Sequence, residues 1–267
     1  MMEPYSFEQG TIPMLINIPH DGQHVPDELA VRMTSSARQI PDNDWHVQRL
    51  YEFVSELGAS RLIATHSRYV IDLNRDPVGE TLYPGADNTE IVPITTFDRE
   101  PIYLQGAAPE ASEITARVLT YWQPYHDKLA SEIDRLCAQF GFAIVFDAHS
   151  IRSEVPRFFN GQLPDLNFGT ASGTSAHPEL CARAFNVLDA AVGYTAILDG
   201  RFTGGYITRH YGSPDKNVHT LQLELSQRTY MNEWYPFEFR PDLAASLVPV
   251  LRSLIEEVIA WTEENRV

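Results

Sequence analysis

Three polar side chains stand at or near the ends of apolar runs in this chain. His20 closes "PMLINIPH", His149 lies in "GFAIVFDAHSI", and Glu224 lies in "HTLQLELS". Short apolar runs of this kind read as buried strands, and open α/β sheets bind ligands beyond the carboxyl ends of their strands. Two imidazoles and a carboxylate delivered there suit a metallohydrolase. Catalytic zinc takes three protein ligands, keeps one position for water and lowers that water's pKa to about 7. A carboxylate nearby then moves the proton. Alternation in "HTLQLEL" puts His219, Leu221, Leu223 and Leu225 on one strand face and Thr220, Gln222 and Glu224 on the other. That polar face is either the wall of a site or a solvated surface.

Spacing alone leaves the third ligand open. A His-x-x-Glu pair would need an acid at position 23, where the chain has Gln23. His24 follows His20 by four residues, but Pro26 opposes the helix such a pair needs. No His-Glu-x-x-His occurs. Asp44 in "PDNDWH" can supply an oxygen, and an acid at that place equally suits a helix N-cap. Asp147, two residues before His149 and on the same strand face, is placed to orient a histidine or an arginine.

The elements that must position these groups alternate between strand and helix, which argues for an α/β sheet. "PMLINIPH" reads as a buried strand, and "DWHVQRLYEFVSELG" as a helix with Gly58 at its C-terminus. Leu62 to Thr65 and Tyr69 to Leu73 look like a paired or bent strand. Residues 74 to 106 form a long connection, often a functional feature. Residues 109 to 139 are helical, with a kink or break expected at Pro124. The run around 141 to 151 is the central strand, 152 to 176 reads as loop, 178 to 191 as helix, and "DGRFTGGY" as a glycine-rich turn. "VHTLQLELS" is a further strand, and an amphipathic helix from Pro241 ends the chain. No repeat or linker divides residues 1–267, so one domain is expected.

A net charge of −16, from 20 basic and 36 acidic residues, opposes a nucleic-acid surface and an anionic membrane. Cys137 and Cys181 make no disulfide framework. "MMEPYSFEQG" lacks the basic and apolar regions of a signal peptide, and no apolar run approaches the roughly 18 residues of a membrane helix. The expectation is a cytoplasmic protein with neither a nucleic-acid nor a membrane partner.

Seven segments, taken in order, resemble the motif series of the N-formylglutamate amidohydrolases. They are "NIPHDGQHVP", "PDNDWHVQRLY", "SRYVIDLNRDP", "YWQPYHDKL", "FDAHSIRSEVPRFFNGQLPDLNFGT", "GRFTGGYITRHYG" and "HTLQLELSQRTYM". The likeness runs from about residue 11 to 235, and "GRFTGGYITRHYG" is most similar to the members active in histidine breakdown. The resemblance implies a three-layer α/β/α fold with a mixed central sheet, phosphorylase/hydrolase-like and related to the zinc carboxypeptidases. It also implies hydrolysis of N-formyl-L-glutamate to formate and L-glutamate with one divalent metal ion, usually zinc, as the last step of a histidine degradation route. Carried over by position, His20, Asp44 and His149 become the metal ligands and Glu224 the general base.

A dicarboxylate bound by so acidic a chain needs local arginines, whose planar fork pairs with a carboxylate. Arg68 and Arg75 in "SRYVIDLNR", Arg201 and Arg209 in "GRFTGGYITR", and Arg228 are candidates, with Arg75 and Arg209 favoured and Asn74 beside them. The pair Gly204-Gly205 allows close backbone approach, and Thr208 and Asn167 offer hydrogen bonds. His126 in "PYHDKL" serves either helix packing or the site. Two other readings remain: a metal-dependent amidohydrolase for another N-acyl amino acid, and a binding protein of the same fold without catalysis. A serine hydrolase built on Ser150 is disfavoured, because no G-x-S-x-G elbow occurs.

Overall fold

A computed structural model, which describes residues 2–79, 85 and 87–265, has one mixed sheet that joins the strands expected around residues 14–18, 60–64, 143–151 and 218–226 with three that were not expected. The strands are β1 (Tyr5–Glu8), β2 (Met14–Ile18), β3 (Ser60–Ala64), β4 (Ala143–Ile151), β5 (Leu166–Gly169), β6 (Ala196–Leu198) and β7 (Val218–Ser226). Their order is β1-β3-β2-β4-β7-β5-β6. β3, β2, β4 and β7 are mutually parallel, while β1 and β5 run antiparallel to their inner neighbours. The helices are α1 (Asp27–Ala30), α2 (Val47–Leu50), α3 (Ala111–Arg117), α4 (Gln123–Phe140), α5 (Pro178–Asp189), α6 (Tyr206–Tyr211) and α7 (Pro241–Glu264).

Both faces of the central strands are buried, which is why they read as continuous apolar runs. On one face Ile16, Ile144, Phe146, Leu221 and Leu223 meet Leu180 and Leu188 of α5 and Leu251 and Val258 of α7. On the other, Leu15 and Val145 meet Tyr125, Leu129 and Leu136 of α4. The result is the three-layer α/β/α arrangement. Each large apolar side chain buried here contributes about 1.5–3 kcal/mol, and a one-residue slip would reverse every face, so the register is held firmly.

Three expectations change. The helix expected from Asp44 to Leu57 shrinks to α2 followed by a 3-10 turn at Glu52–Ser55. The carboxylate of Asp21 accepts from the backbone N–H of His46 and Gln48, both at 2.9 Å, and so fixes where α2 begins. Tyr51, at φ −106°, interrupts it four residues later. The run Tyr69 to Leu73 is a buried turn rather than a strand. Val70 N–H donates to the Ser67 carbonyl at 2.8 Å, and Arg68 meets Asp72 at 2.7 Å, four residues on. Local polar bonds of this kind displace strand pairing. Finally, the loop expected at 152 to 176 contains β5, which pairs with β7 through Asn167 and Glu224.

The irregularity expected at Pro124 is present as a change of winding, and the helix does not end there. α3 runs through a π-turn over Val118–Trp122 directly into α4, whose second residue is Pro124. No helix among the described residues is long and apolar enough to cross a membrane.

Candidate active site

β3 lies on one side of β2 and β4 on the other, so the chain reverses its winding at the β2/β4 junction. Ligand sites in open sheets form at the carboxyl ends beside such a reversal. There the sequence places His20, two residues past β2, and His149 near the end of β4. Glu224 of β7 is directly across from His149 in the parallel register.

Each imidazole has an aspartate oxygen beside its Nε2. His20 Nε2 lies 2.8 Å from Asp72 Oδ1, and His149 Nε2 lies 3.0 Å from Asp147 Oδ2. A carboxylate at Nε2 fixes the proton there and turns the Nδ1 lone pair toward a ligand. Both Nδ1 atoms point at one oxygen of Asp44, from His20 at 3.6 Å and from His149 at 3.1 Å. Asp44 is not the cap of α2. Its Oδ2 accepts from the Ser150 N–H at 3.0 Å, and its Oδ1 from Arg68 Nη1 at 3.3 Å. The Arg68 fork continues to Asp72 Oδ2 at 2.7 Å, so Arg68 ties the one oxygen donor of the set to the carboxylate behind His20.

His20, Asp44 and His149 form a buried donor set whose ligand atoms all lie within 4.8 Å of one another. Ligands bonded at 2.0–2.1 Å around a four-coordinate ion sit roughly 3.3 Å apart, close to the two Nδ1-to-Asp44 distances. The charge balance agrees. Asp44, Asp72 and Asp147 are all buried here, against one buried guanidinium, Arg68, and the half-buried Arg75. Buried charge costs several kcal/mol per ion unless compensated, while a folded domain is stable by only about 5–15 kcal/mol in total. A divalent cation meets both the donor geometry and the negative excess. The residues present fit such an ion.

Proton affinities follow the same crowding. Burial would raise the Asp44 carboxyl, but His20, His149 and Arg68 outweigh it and hold it below the ordinary range. Burial likewise opposes ionisation of Asp72, and Arg68 with Arg75 and His20 prevails. Burial would lower His149, yet Asp147 and Asp44 raise it well above an ordinary imidazole. A cation at Nδ1 competes with that proton. Glu224 is pushed up to about 8, chiefly by burial, with Asp44 and Asp147 adding to it. It is therefore no solvated strand residue.

A cavity of about 60 Å³ opens over these groups, lined also by Arg68, Asn74, Arg75, Phe97, Phe158 and Phe202. Asn74 Oδ1 accepts from the Ile207 N–H at 2.8 Å, which turns its amide nitrogen toward His149 Nε2 at 3.0 Å. Nε2 cannot both donate to Asp147 and accept from Asn74. The anionic aspartate is the stronger partner, so the Asn74 amide remains a donor facing the cavity. Arg75 is steadied by Thr89, through its carbonyl at 3.2 Å and its hydroxyl at 2.8 Å. Gly205 lines the cavity as well, and a Cβ there would lie 2.2 Å from Asn74 Nδ2, so only glycine fits.

Other expected residues lie outside the lining. Thr208 is buried behind it, its hydroxyl 3.3 Å from Gln222 Oε1. Asn167 donates to the Pro164 carbonyl at 2.7 Å and to the Glu224 carbonyl at 3.1 Å, bracing the strand that carries Glu224. Arg209 is exposed on α6 and donates to Thr203 Oγ1 at 3.1 Å. Asp72 and the three phenylalanines were not anticipated. "YVIDLN" carries the same signal as "FDAHS", an acid closing an apolar run.

A sequence model of the N-formylglutamate amidohydrolase family matches residues 12–231. The chain is 48% identical over 265 residues to the N-formylglutamate deformylase of Pseudomonas aeruginosa, covering 99% of both chains. It is 47% identical over 260 residues to that of Pseudomonas putida, covering 97% of each. Its fold is similar to the crystal structure of N-formylglutamate amidohydrolase from Ralstonia eutropha, with a TM-score of 0.80, 25% identity and 98% of both chains covered. A gene product of Agrobacterium tumefaciens shares the fold alone, with a TM-score of 0.75 at 16% identity over 98% of this chain and 97% of that one.

Proposed function

The chain belongs to the N-formylglutamate amidohydrolase family, and we propose that it hydrolyses N-formyl-L-glutamate to formate and L-glutamate at the β2/β4/β7 cleft. One observation carries this reading. Two buried imidazoles, each backed by an aspartate, converge on Asp44 beside a buried glutamate. His20, Asp44 and His149 would hold one divalent ion, and we take it to be zinc, which hydrolases bind through two imidazoles and one carboxylate. Bound there, such an ion would supply Lewis acidity for the formyl oxygen and for water.

The chain's own groups account for the rest. Glu224 takes the proton from the attacking water and returns it to the leaving amine nitrogen. Its affinity for protons, raised by burial, suits it to the second half of that task. Arg75 pairs with a substrate carboxylate, and Asn74 donates to the same end of the molecule. Arg68 keeps Asp44 and Asp72 in place beneath the cavity. Phe97, Phe158 and Phe202 exclude water, which strengthens every charge interaction inside. We read residues 1–267 as one domain that works in the cytoplasm at the last step of a histidine degradation route.

Purified protein should contain about one zinc per chain and release formate from N-formyl-L-glutamate roughly 10- to 200-fold faster than acetate from N-acetyl-L-glutamate. A single extra methyl is worth about 10- to 200-fold in a fitted pocket. Equal rates on the two substrates would favour a general N-acyl amino acid hydrolase, and no hydrolysis of either would favour a binding protein.

A further inference from the structure

Two aromatic N–H groups on one helical face reach the turn that carries Asn74 and Arg75. Trp122 Nε1 donates to the Arg75 carbonyl at 3.1 Å, and His126 Nε2 lies 2.8 Å from the Leu73 carbonyl. The two carbonyls flank Asn74. The rings are four residues apart and stack with centroids 3.7 Å apart, so each limits the other's rotation. A carbonyl only accepts, so the proton is on Nε2, and Nδ1 accepts from the Tyr211 hydroxyl at 2.9 Å. Tyr211 closes α6, whose Ile207 N–H fixes the Asn74 amide. Trp122 and His126 thus join both supports of Asn74 through one stack. The π-turn over Val118–Trp122 ends at Trp122, and such turns rephase the side chains that follow.

We propose that Trp122 and His126 are positioning residues that set Asn74 and Arg75 in register for the substrate carboxylate; this rests on the function proposed above. Neither ring lines the cavity. Burial lowers the His126 pKa to about 4, so the ring is neutral near pH 7 and acts as a fixed donor. Plain packing would require the rings but not their N–H groups. The two roles therefore separate by substitution.

Trp122→Phe keeps an aromatic ring and removes one N–H. His126→Leu removes the other, and His126→Gln restores a donor at a similar reach. In zinc-loaded protein, Trp122→Phe should raise KM for N-formyl-L-glutamate about 3- to 10-fold with kcat within about twofold. His126→Leu should raise it further, and His126→Gln should recover most of the loss. Amide hydrogen exchange over residues 73–76 should quicken in Trp122→Phe and His126→Leu and return toward wild type in His126→Gln. Exchange needs no turnover, so it reads the clamp even if wild type releases no formate, a result that would sink the proposed function alone. Should His126→Leu not fold, Trp122→Phe decides the matter. Unchanged exchange in Trp122→Phe, or unchanged KM in an active Trp122→Phe enzyme, overturns the proposal. So does a His126→Gln variant as impaired as His126→Leu.

Discussion

Each end of the central sheet gathers two histidines beside a cavity, and only one end is built for chemistry. At the carboxyl ends of β2 and β4, His20 and His149 have aspartates behind their Nε2 atoms and converge on Asp44. At the opposite end, His177 and His219 face a larger cavity, about 620 Å³, whose lining contains no carboxylate among the described residues. There the imidazoles serve the backbone. His219 Nδ1 accepts from the His177 N–H at 3.2 Å, and His177 Nδ1 from the Glu179 N–H at 3.3 Å, which caps α5. The proton affinities diverge accordingly. Burial lowers His219 to about 4, with His177 adding to it, whereas two carboxylates raise His149 against the same burial. Neither cavity size nor a histidine pair picks out a site; the carboxylates behind the rings do.

The broadest break of this comparison exchanges the two ends. His149→Ala should abolish zinc binding and lower formate release by roughly 10³-fold or more, the scale of several kcal/mol of lost transition-state stabilisation. His219→Gln should leave zinc content and turnover per folded molecule within about twofold. Matching losses in both, measured by metal analysis and formate release, would erase the distinction between the ends.

A smaller effect isolates the carboxylate itself. Asp147→Asn removes the charge behind His149 but keeps an acceptor, so zinc affinity should weaken about 10- to 100-fold. Competition against a fluorescent chelator reads this directly. An unchanged dissociation constant would mean that the aspartate does not tune the ligand.

The smallest effect lies at the opposite end. His219 has a folded pKa depressed to about 4 against an ordinary value of 6.5. The unfolded chain therefore binds more protons between those values, and stability falls as pH drops through that window. Allowing for partial solvation, the loss by pH 5 is about 1–2 kcal/mol. Urea denaturation at pH 7.5 and at pH 5 should show a smaller loss in His219→Gln than in wild type. Identical losses would place the acid sensitivity elsewhere.

Much of this was legible in the sequence because the central strands are buried on both faces. Apolar runs mark β2 and β4 plainly and alternation marks β7, and His20, His149 and Glu224 on or just past these strands mark the site. β5 escaped notice because it has only four residues and takes its place through β7 rather than through a pattern of its own. The Tyr69–Leu73 run misled for a physical reason: its apolar side chains are buried, but Ser67, Arg68 and Asp72 claim the local bonds and bend the chain. Asp44 was ambiguous between cap and ligand, since both roles ask for an acid before a helix. The cap turned out to be Asp21, from the turn after β2, a pairing that only tertiary structure reveals. Arg209 could not be told from Arg75 by sequence, yet one is exposed on α6 and the other lines the cavity.

The central claim is that Glu224 moves the proton while the His20–Asp44–His149 set holds the ion, and one substitution tests it most directly. Glu224→Gln keeps size and polarity and removes the base. Zinc content should remain near one per chain, and binding of L-glutamate measured by calorimetry should be retained. The turnover number on N-formyl-L-glutamate should fall by about 10²- to 10⁴-fold, the usual worth of general acid–base catalysis. Turnover within a few-fold of wild type, with zinc still bound, would contradict the account.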